Sequence, residues 1–403
     1  MALPPAPKVL LISGYFDWFS GYQETVLAKW LGRYASTEVV AGDRVSPLFS
    51  DEHLSRLEVP RRYAARRSVQ NGVAVTRFAT SEVRSMVWSA KARKYINSRE
   101  YDLIVQAMPG QILPLAATLT RNRSVRIALY GDNSAMWSHL SRPERLLKGV
   151  AFSFSKGIVY ALVNCRAQRV YGFTPNTVSR LRAFRAGKQM PLLPLAFDPE
   201  EFYFDEGIRD ARRLALGYDE ADTVIVAAGK FQQKKRLDLL ATAFKNLAPA
   251  HPGLRLLLTG TDESAESREL VERISEDSIL RDRVAVLGFV GAIELNALFN
   301  AADIGVWPRM PAITIQQAMG TGLKVVLPEN AWVGHLIRVG SGAYFNEAHD
   351  NDSVAMERAI ASQLIGGSTT VDRRERARTN SWLGADQVAR SLLDAAGLGS
   401  PPS

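Results

Sequence analysis

Residues 302–328 read ADIGVWPRMPAITIQQAMGTGLKVVLP. The apolar run 304–307 has the length and composition of a buried strand. Pro308 and Pro311 end it and hold a loop, since proline cannot donate to a strand ladder. Residues 313–319 resume at helical spacing, Gly320 and Gly322 close that helix, and 323–327 form a second buried strand. Strand, loop, helix and parallel strand place the loop at the carboxyl edge of a sheet, where open α/β sheets bind ligands. The free N–H groups and dipole of the helix start favour a phosphate there. The same pattern also suits a Pro-rich connection in any doubly wound domain.

Outward from this stretch the alternation of strand and helix continues. Upstream, strands are expected at 223–228, 254–259 and 284–287, with helices at 237–247, 267–275 and 294–300. Downstream, helices are expected at 353–364 and 382–396. The first half repeats the pattern, with strands at 9–13, 38–41, 73–78, 103–106, 125–130 and 170–173. Its helices are expected at 22–33, 82–97, 112–119, 143–163 and 175–184. Residues 43–71 form a long irregular insertion, and 191–217 read as an interdomain connection. Alternating β and α argues for parallel sheets covered by helices. The fold class expected is therefore α/β, with two Rossmann-like doubly wound parallel-sheet domains and a ligand cleft between them.

Length and composition agree with this division. The 403 residues exceed what one core usually holds, and 46% hydrophobic residues is ordinary for a water-soluble globule. The single cysteine, Cys165, excludes an internal disulfide and a cysteine-based metal site, and reads as a buried small residue. No signal peptide is evident at the start, and no run reaches the ~20 apolar residues of a membrane span. Charge is uneven: residues 1–200 carry 28 Lys/Arg against 14 Asp/Glu, the remainder 22 against 27. A basic first half suggests that only that half meets an anionic partner. The basic insertion lacks interleaved aromatics apart from Tyr63, which argues against nucleic acid. Helices 82–97 and 149–163 mix apolar residues with cations, a pattern suited to an anionic membrane surface or to two helices simply buried in their own domain.

The motifs fall at strand ends of the second half. GKFQQKKR at 229–236 directly follows a strand. Gly229 permits a turn, and Lys230, Lys235 and Arg236 offer cationic donors suited to a diphosphate. Cations at a helix start run against the dipole, which favours acids there, so a bound anion is the simplest compensation. Gly260 and Gly288 end the next two strands, as glycines that admit a ligand to the backbone or as ordinary turns. The Walker spacing and GxGxxG are both absent. Asp350 and Asp352 spell DxD before a helix and read as capping. His53, His139, His251, His335 and His349 show no metal-ligand spacing.

In order, Gly229 with Lys230 and Lys235, 254–260, 284–288, 301–308 and Ala318-Met319 with Gly322 resemble the signature of family 4 of the glycosyltransferases, which have the GT-B fold. GYQE at Gly21, Tyr22 and Glu24, Gly42-Asp43-Arg44, Phe173-Thr174-Pro175, 197–202 and Ser381-Trp382 resemble one bacterial and archaeal branch of it. The resemblance spans residues 9 to about 395. It implies a retaining hexosyltransferase that uses a nucleotide-sugar donor and a glycan or lipid-linked acceptor in cell-surface polysaccharide synthesis. It implies an acceptor-binding domain over 1–195, a donor-binding domain over 196–380, and a last segment 381–403 that packs back on the first domain. Lys230 and Lys235 stand where the family neutralises the leaving diphosphate, with Asp132 facing the donor. Lys for Arg at 230 keeps the charge but loses the bidentate fork. Gly229, Gly260, Arg309, Ala312, Ile313, Thr314 and Gln317 would bind the donor, and Gly21, Tyr22 and Glu24 lie on the acceptor side. No metal or other cofactor is implied, and the place implied is the cytoplasm or the inner face of the membrane.

Three positions depart from that pattern. Arg309 and Gln317 stand where two Glu are usual, and Gly131 where many members carry His. A neutral Gln317 is a weaker acceptor for the ribose hydroxyls than a carboxylate, by ~0.5–1.5 kcal/mol. Besides a transferase, the departures leave open a non-catalytic nucleotide-sugar binder acting as a partner subunit. A sugar-nucleotide epimerase is disfavoured, since no acid/base cluster stands out in the second half.

Overall fold

The computed structural model describes residues 6–399, apart from 84, 122, 132–140, 185–186, 262–263, 310, 347–352 and 366–368. The chain divides into two compact units, 1–195 with 385–403, and 196–384.

The first unit runs β1 (Lys8–Ser13), α1 (Gln23–Tyr34), β2 (Ser36–Gly42), α2 (Asp51–Arg56), β3 (Arg67–Gln70), β4 (Val73–Phe78), β5 (Ser81–Val83), β6 (Met86–Trp88) and α3 (Ala90–Asn97). It continues with β7 (Leu103–Ala107), α4 (Leu115–Thr118), β8 (Val125–Tyr130), α5 (Arg142–Phe154), α6 (Lys156–Arg166), β9 (Arg169–Gly172) and α7 (Pro175–Leu181). Its sheet has the order β3-β4-β2-β1-β7-β8-β9. All pairs are parallel except β3 with β4. The central strands are mostly apolar and buried on both faces, with only Lys8 exposed and with Ser13 and Gln106 as buried polar residues.

The second unit runs α8 (Glu206–Ala215), β10 (Thr223–Ala228), α9 (Leu237–Leu247), β11 (Leu254–Thr261), α10 (Ala265–Glu276), β12 (Val284–Gly288), α11 (Ala292–Ala301), β13 (Ile304–Val306), α12 (Ile313–Gly320), β14 (Lys324–Pro328), β15 (Gly342–Phe345), α13 (Val354–Leu364) and α14 (Thr370–Thr379). Its order β12-β11-β10-β13-β14-β15 is parallel throughout. Apolar clusters fill both faces, one around Phe244 and Ile360, the other around Phe299 and Trp307. The final helix, α15 (Ala385–Ala395), returns to the first unit and packs on α1.

Several elements differ from the sequence reading. Residues 82–97 are not one helix: β5 and β6 form a hairpin turning at Ser85 (φ 62°), and only Ala90–Asn97 is helical. Val83, Met86 and Val87 suit either period, and Ser89 decides the start by accepting the Ala92 N–H. The helix expected over 143–163 breaks at Ser155, whose backbone (φ −116°, ψ −88°) leaves the helical region. The connection 191–217 holds α8, whose N-cap Asp205 accepts the Ile208 N–H. Cys165 is exposed on α6.

Candidate functional site

Both sheets reverse their strand order once. In the second unit the chain builds outward from β10 through β11 to β12, then resumes on the other side of β10 with β13. The loops after β10 and β13 therefore leave the sheet at a topological switch point.

The first of these loops depends on two glycines. Gly229 (φ 133°) and Gly260 (φ 110°) end β10 and cap the neighbouring β11, and a Cβ at Gly260 would lie 2.6 Å from the Gly229 carbonyl oxygen. No side chain fits between these two backbones. Lys235, in the turn that follows, lies with its Nζ 3.3 Å from where a Cβ on Gly229 would stand. Burial lowers its ammonium to about 8, with Lys234 adding to the effect. No carboxylate pairs with it among the described residues. Lys230, directly after Gly229, is exposed. Arg236 takes a left-handed conformation (φ 55°) and is directed away, paired with Asp238 at 3.1 Å at the start of α9.

On the other side of the switch point, α12 begins at Ala312 in extended conformation, with no side chain capping it. Its start is fixed to β10 instead. The Thr314 hydroxyl donates to the Ala228 carbonyl at 3.0 Å. The Trp307 indole N–H reaches both that carbonyl (3.1 Å) and Thr314 Oγ1 (3.0 Å). Ile313 and Gln317 are one turn apart on α12, and Gln317 Oε1 is buried without a hydrogen-bond partner. Arg309 is half-buried in the loop that leads to this helix. Lys235, the Gly229–Gly260 contact and the start of α12 thus bracket the end of β10, an arrangement that offers cations and N–H groups to an anion.

His335, named in the sequence only as lacking metal-ligand spacing, lies in the loop after β14. Both of its ring nitrogens are unpartnered, and burial lowers it to about 4, so it is neutral. A lone His among apolar neighbours carries no motif that would single it out.

In the first unit the switch point lies between β1 and β7. Gln111 holds it: its Oε1 accepts from Gly14 N (2.7 Å), Tyr15 N (3.3 Å) and Ser13 Oγ (3.1 Å). Met108 and Ile112, on either side of Gln111, both have positive φ (51° and 69°), costly for non-glycine residues. Met108 also packs over Gly131: a Cβ there would stand 2.7 Å from Met108 Cε, the flexible end of that side chain. Asp132 and His139 lie outside the described residues, as do Asp350 and Asp352.

Beside this point lies a buried acid pair. Glu24 is pushed up to about 7 by burial, its own backbone N–H opposing and Asp17 adding. Asp17 is raised by burial against the pull of Arg77. Asp17 Oδ1 and Glu24 Oε2 are unpartnered. Tyr63 bonds Asp17, and the Arg77 guanidinium lies 3.9 Å from the Tyr63 ring and donates to Phe16 O at 2.6 Å. Tyr22, partly exposed, stacks on Phe49 at 5.6 Å, and Gly21 (φ 59°) makes the turn before it. GYQE thus contributes one buried carboxyl and one aromatic face. Asp17, seven residues before Glu24, and Tyr63 and Arg77, distant in sequence, complete the group. Among the described residues no three His, Cys, Asp or Glu side chains converge as a metal site.

Residues 222–364 match the family described as glycosyl transferases group 1. Mannosylfructose-phosphate synthase of Agrobacterium fabrum is 25% identical over 220 residues, 51% of this chain and 48% of the relative. A D-inositol 3-phosphate glycosyltransferase of Segniliparus rotundus is 30% identical over 102 residues, 25% and 23% of the two chains. The chain thus spans about half the length, or less, of these curated relatives. Among solved structures, sucrose-phosphate synthase from Thermosynechococcus elongatus aligns over 97% of this chain and 96% of its own, with a TM-score of 0.60 at 16% identity. Anabaena HepE in complex with UDP-glucose aligns over 97% and 99%, with a TM-score of 0.64 at 17% identity. Residues 222–364 therefore carry a glycosyl transferases group 1 domain, and the chain has the GT-B fold.

Proposed function

We propose that this protein is a retaining, metal-independent glycosyltransferase of family 4, in its GYQE branch. It takes a hexose from a nucleotide-sugar donor held by the second unit and gives it to a glycan or lipid-linked acceptor held by the first, in cell-surface polysaccharide synthesis. It works in the cytoplasm or at the inner face of the membrane. The observation that carries the reading is Lys235, an ammonium beside two backbones in close contact at the β10/β13 switch point. An anion that enters there restores the charge that burial disfavours. Transfer leaves a nucleoside diphosphate, whose new negative charge Lys235, Lys230 and the N–H groups of Ile313 and Thr314 stabilise. Gln317 Oε1 is the acceptor for a donor hydroxyl, the ribose by resemblance. The family match over 222–364 and the UDP-glucose complex of the structural neighbour HepE support a nucleotide sugar.

A second reading, a nucleotide-sugar binder with little turnover, is favoured by Gln317, a neutral residue where the resemblance leads one to expect a carboxylate. A thermal-shift panel of UDP- and GDP-sugars, followed by turnover with the donor that stabilises, separates the two. A bound donor at a hundred times its Kd stabilises by ~2.7 kcal/mol. Transfer with retained anomeric configuration supports the enzyme, and binding without turnover supports the second reading. A panel with no stabilising nucleotide sugar refutes both.

A further inference from the structure

The first unit has a concavity at the opposite end of its strands from the switch point. It lies where α4 and α6 end and β8 and β9 begin, with a volume of about 540 Å³. The end of α4 supplies Thr118, Leu119 and Arg121, and α6 supplies Leu162, Cys165 and Arg166. The stretches 103–131 and 145–197, which carry α4, β8, α6 and β9, contain no Asp or Glu. Asp102, just before β7, accepts the Lys8 N–H at 2.7 Å. Cations at helix ends are ordinary, because the last carbonyls lack partners and the dipole is negative there. Here other residues fill that role. Lys188 Nζ donates to the carbonyls of Asn164 (2.5 Å), Cys165 (3.2 Å) and Ala167, closing α6. Arg126, almost wholly buried, reaches the carbonyls of Ala117 (3.4 Å) and Ser124 (3.3 Å), and Arg93 donates to the Leu119 carbonyl at 3.3 Å. Arg121 and Arg166 are left over: neither guanidinium has a hydrogen bond or a carboxylate among the described residues. Arg126 is lowered by burial and then by Arg166, so these two guanidiniums stand close enough to repel. Thr118 Oγ1 accepts from Gln106 Nε2 at 2.8 Å, which leaves its proton to donate.

We propose that this concavity binds a small soluble phosphate ester, at a site apart from the β10/β13 switch point. The phosphate lies between Arg121 and Arg166, whose planar forks match its oxygens, with the Thr118 hydroxyl as a neutral donor. The carbon skeleton of the ester lies against Leu119 and Leu162, which are 41% and 46% exposed. An anion between the two surplus arginines answers the charge that no acid answers. The volume is that of a small-molecule site rather than of a polymer groove. No aromatic side chain lines it to stack a base, which argues against nucleic acid. The site shares no residue with the transfer chemistry, so the two stand or fall separately.

Cys165 is the only cysteine of the chain and lines the concavity, so a thiol reagent reports on it directly. Two disulfide reagents are compared on the full chain, the dianionic dithiobis(nitrobenzoate) and the neutral dithiodipyridine. In Arg121→Gln with Arg166→Gln, the anionic reagent should lose about tenfold or more of its rate relative to the neutral one. Inorganic pyrophosphate and glycerol phosphate should slow the neutral reagent saturably, and sodium chloride at the same ionic strength should not. In the glutamine variant, half-protection should need about tenfold more of either phosphate. Arg121 and Arg166 are exposed, so the unfolding temperature of the ligand-free variant should stay that of the parent. Arg121→Lys with Arg166→Lys keeps both charges and should recover the rate of the anionic reagent while regaining only part of the protection. An unchanged rate ratio in the glutamine variant, protection no greater than that of matched salt, or protection that never saturates would overturn the proposal. So would protection by vesicles of phosphatidylglycerol but by neither soluble phosphate.

Discussion

The two ends of the second unit's sheet treat buried charge in opposite ways. At the amino end, Arg373 is almost wholly buried, yet its guanidinium donates to the carbonyls of Thr321 (2.9 Å), Asn300 (3.1 Å), Ala302 (2.6 Å) and Phe299 (2.6 Å). Arg376 adds Gly322 at 2.9 Å, so the carbonyl ends of α11 and α12 are closed by cations. Arg209 and Arg213 pair with Asp303 at the start of β13. At the carboxyl end, Lys235 is also desolvated but has no carboxylate among the described residues, and Gln317 Oε1 has no donor. Among the described residues the amino-end arginines are partnered within the protein; the carboxyl-end groups are the ones that the proposed donor would partner. Burial of a charge therefore does not by itself mark a functional site. What sets Lys235 apart from these arginines is burial with no carboxylate or carbonyl partner for its ammonium among the described residues.

The largest expected effect falls at the amino end. Arg373→Ala leaves several helix-end carbonyls without donors and should destabilise the chain by about 3–5 kcal/mol, read as a lower denaturation midpoint. The donor should still give its thermal shift at temperatures where the variant is folded. A stability loss below about 1 kcal/mol would break the contrast, because the amino-end network would then be ornamental.

At the carboxyl end the same kind of truncation should do the reverse. Lys235→Ala is expected to cut donor turnover by about 2.7–4 kcal/mol, a hundredfold or more, with Lys230→Ala milder. Lys235→Met should also make the ligand-free chain more stable at neutral pH, by roughly 1–3 kcal/mol. The sign follows from the lowered ammonium: between about 8 and 10.5 the unfolded chain holds more protons than the folded one, so stability rises with pH there. The methionine variant should lose that rise. A methionine variant no more stable than the parent would show that this lysine carries no stored cost.

How much of this was legible in the sequence follows from which interactions are local. The βα unit around Pro308 and Pro311, the GKFQQKKR loop and most strands of both halves are set by short-range signals, periodicity and proline, and lie where the sequence places them; the short strands at 67–70 and 342–345 and the helices at 206–215 and 370–379 do not stand out in the sequence. The hairpin at 81–88 was misread because Val83, Met86 and Val87 satisfy two periods, and the deciding features, the Ser89 cap and the Ser85 turn, are weak signals one residue long. The candidate site is local at the loop of Gly229 and Lys235 and at the helix start of Thr314, and those elements are readable from the sequence. Gln111 closing on Gly14, and Asp17 meeting Tyr63 and Arg77, join residues far apart in the chain. Nothing in their own neighbourhoods announces the pairing.

The first unit extends the comparison to an acid. Glu24, normally near 4.5, is held up to about 7 chiefly by burial, so the folded chain binds a proton more tightly than the unfolded one. Stability should therefore fall as pH rises from 4.5 through about 7 and stay low above it, by up to roughly 3 kcal/mol. Glu24→Gln should flatten that fall in a pH series of thermal unfolding. An unchanged slope would mean that Glu24 is solvated and not part of the buried pair.

The smallest expected effect concerns Gln317. Gln317→Leu should weaken donor binding by ~0.5–1.5 kcal/mol, and Gln317→Glu should strengthen it by a similar amount. Titration of nucleotide sugar against both variants distinguishes a ribose-reading side chain from a bystander. Equal affinity for the parent and the leucine variant would leave the site resting on the lysine and the helix start alone.

The hydrogen-bonded triangle of Trp307, Thr314 and the Ala228 carbonyl has a kinetic implication. It bolts the first turn of α12 to β10, so the helix end that the proposed donor would meet is assembled before any ligand arrives. A cradle that is rigid before the donor arrives is equally rigid when the spent nucleotide leaves. Thr314→Val, which removes the hydroxyl link while keeping the shape, is the change that would make this helix a moving part.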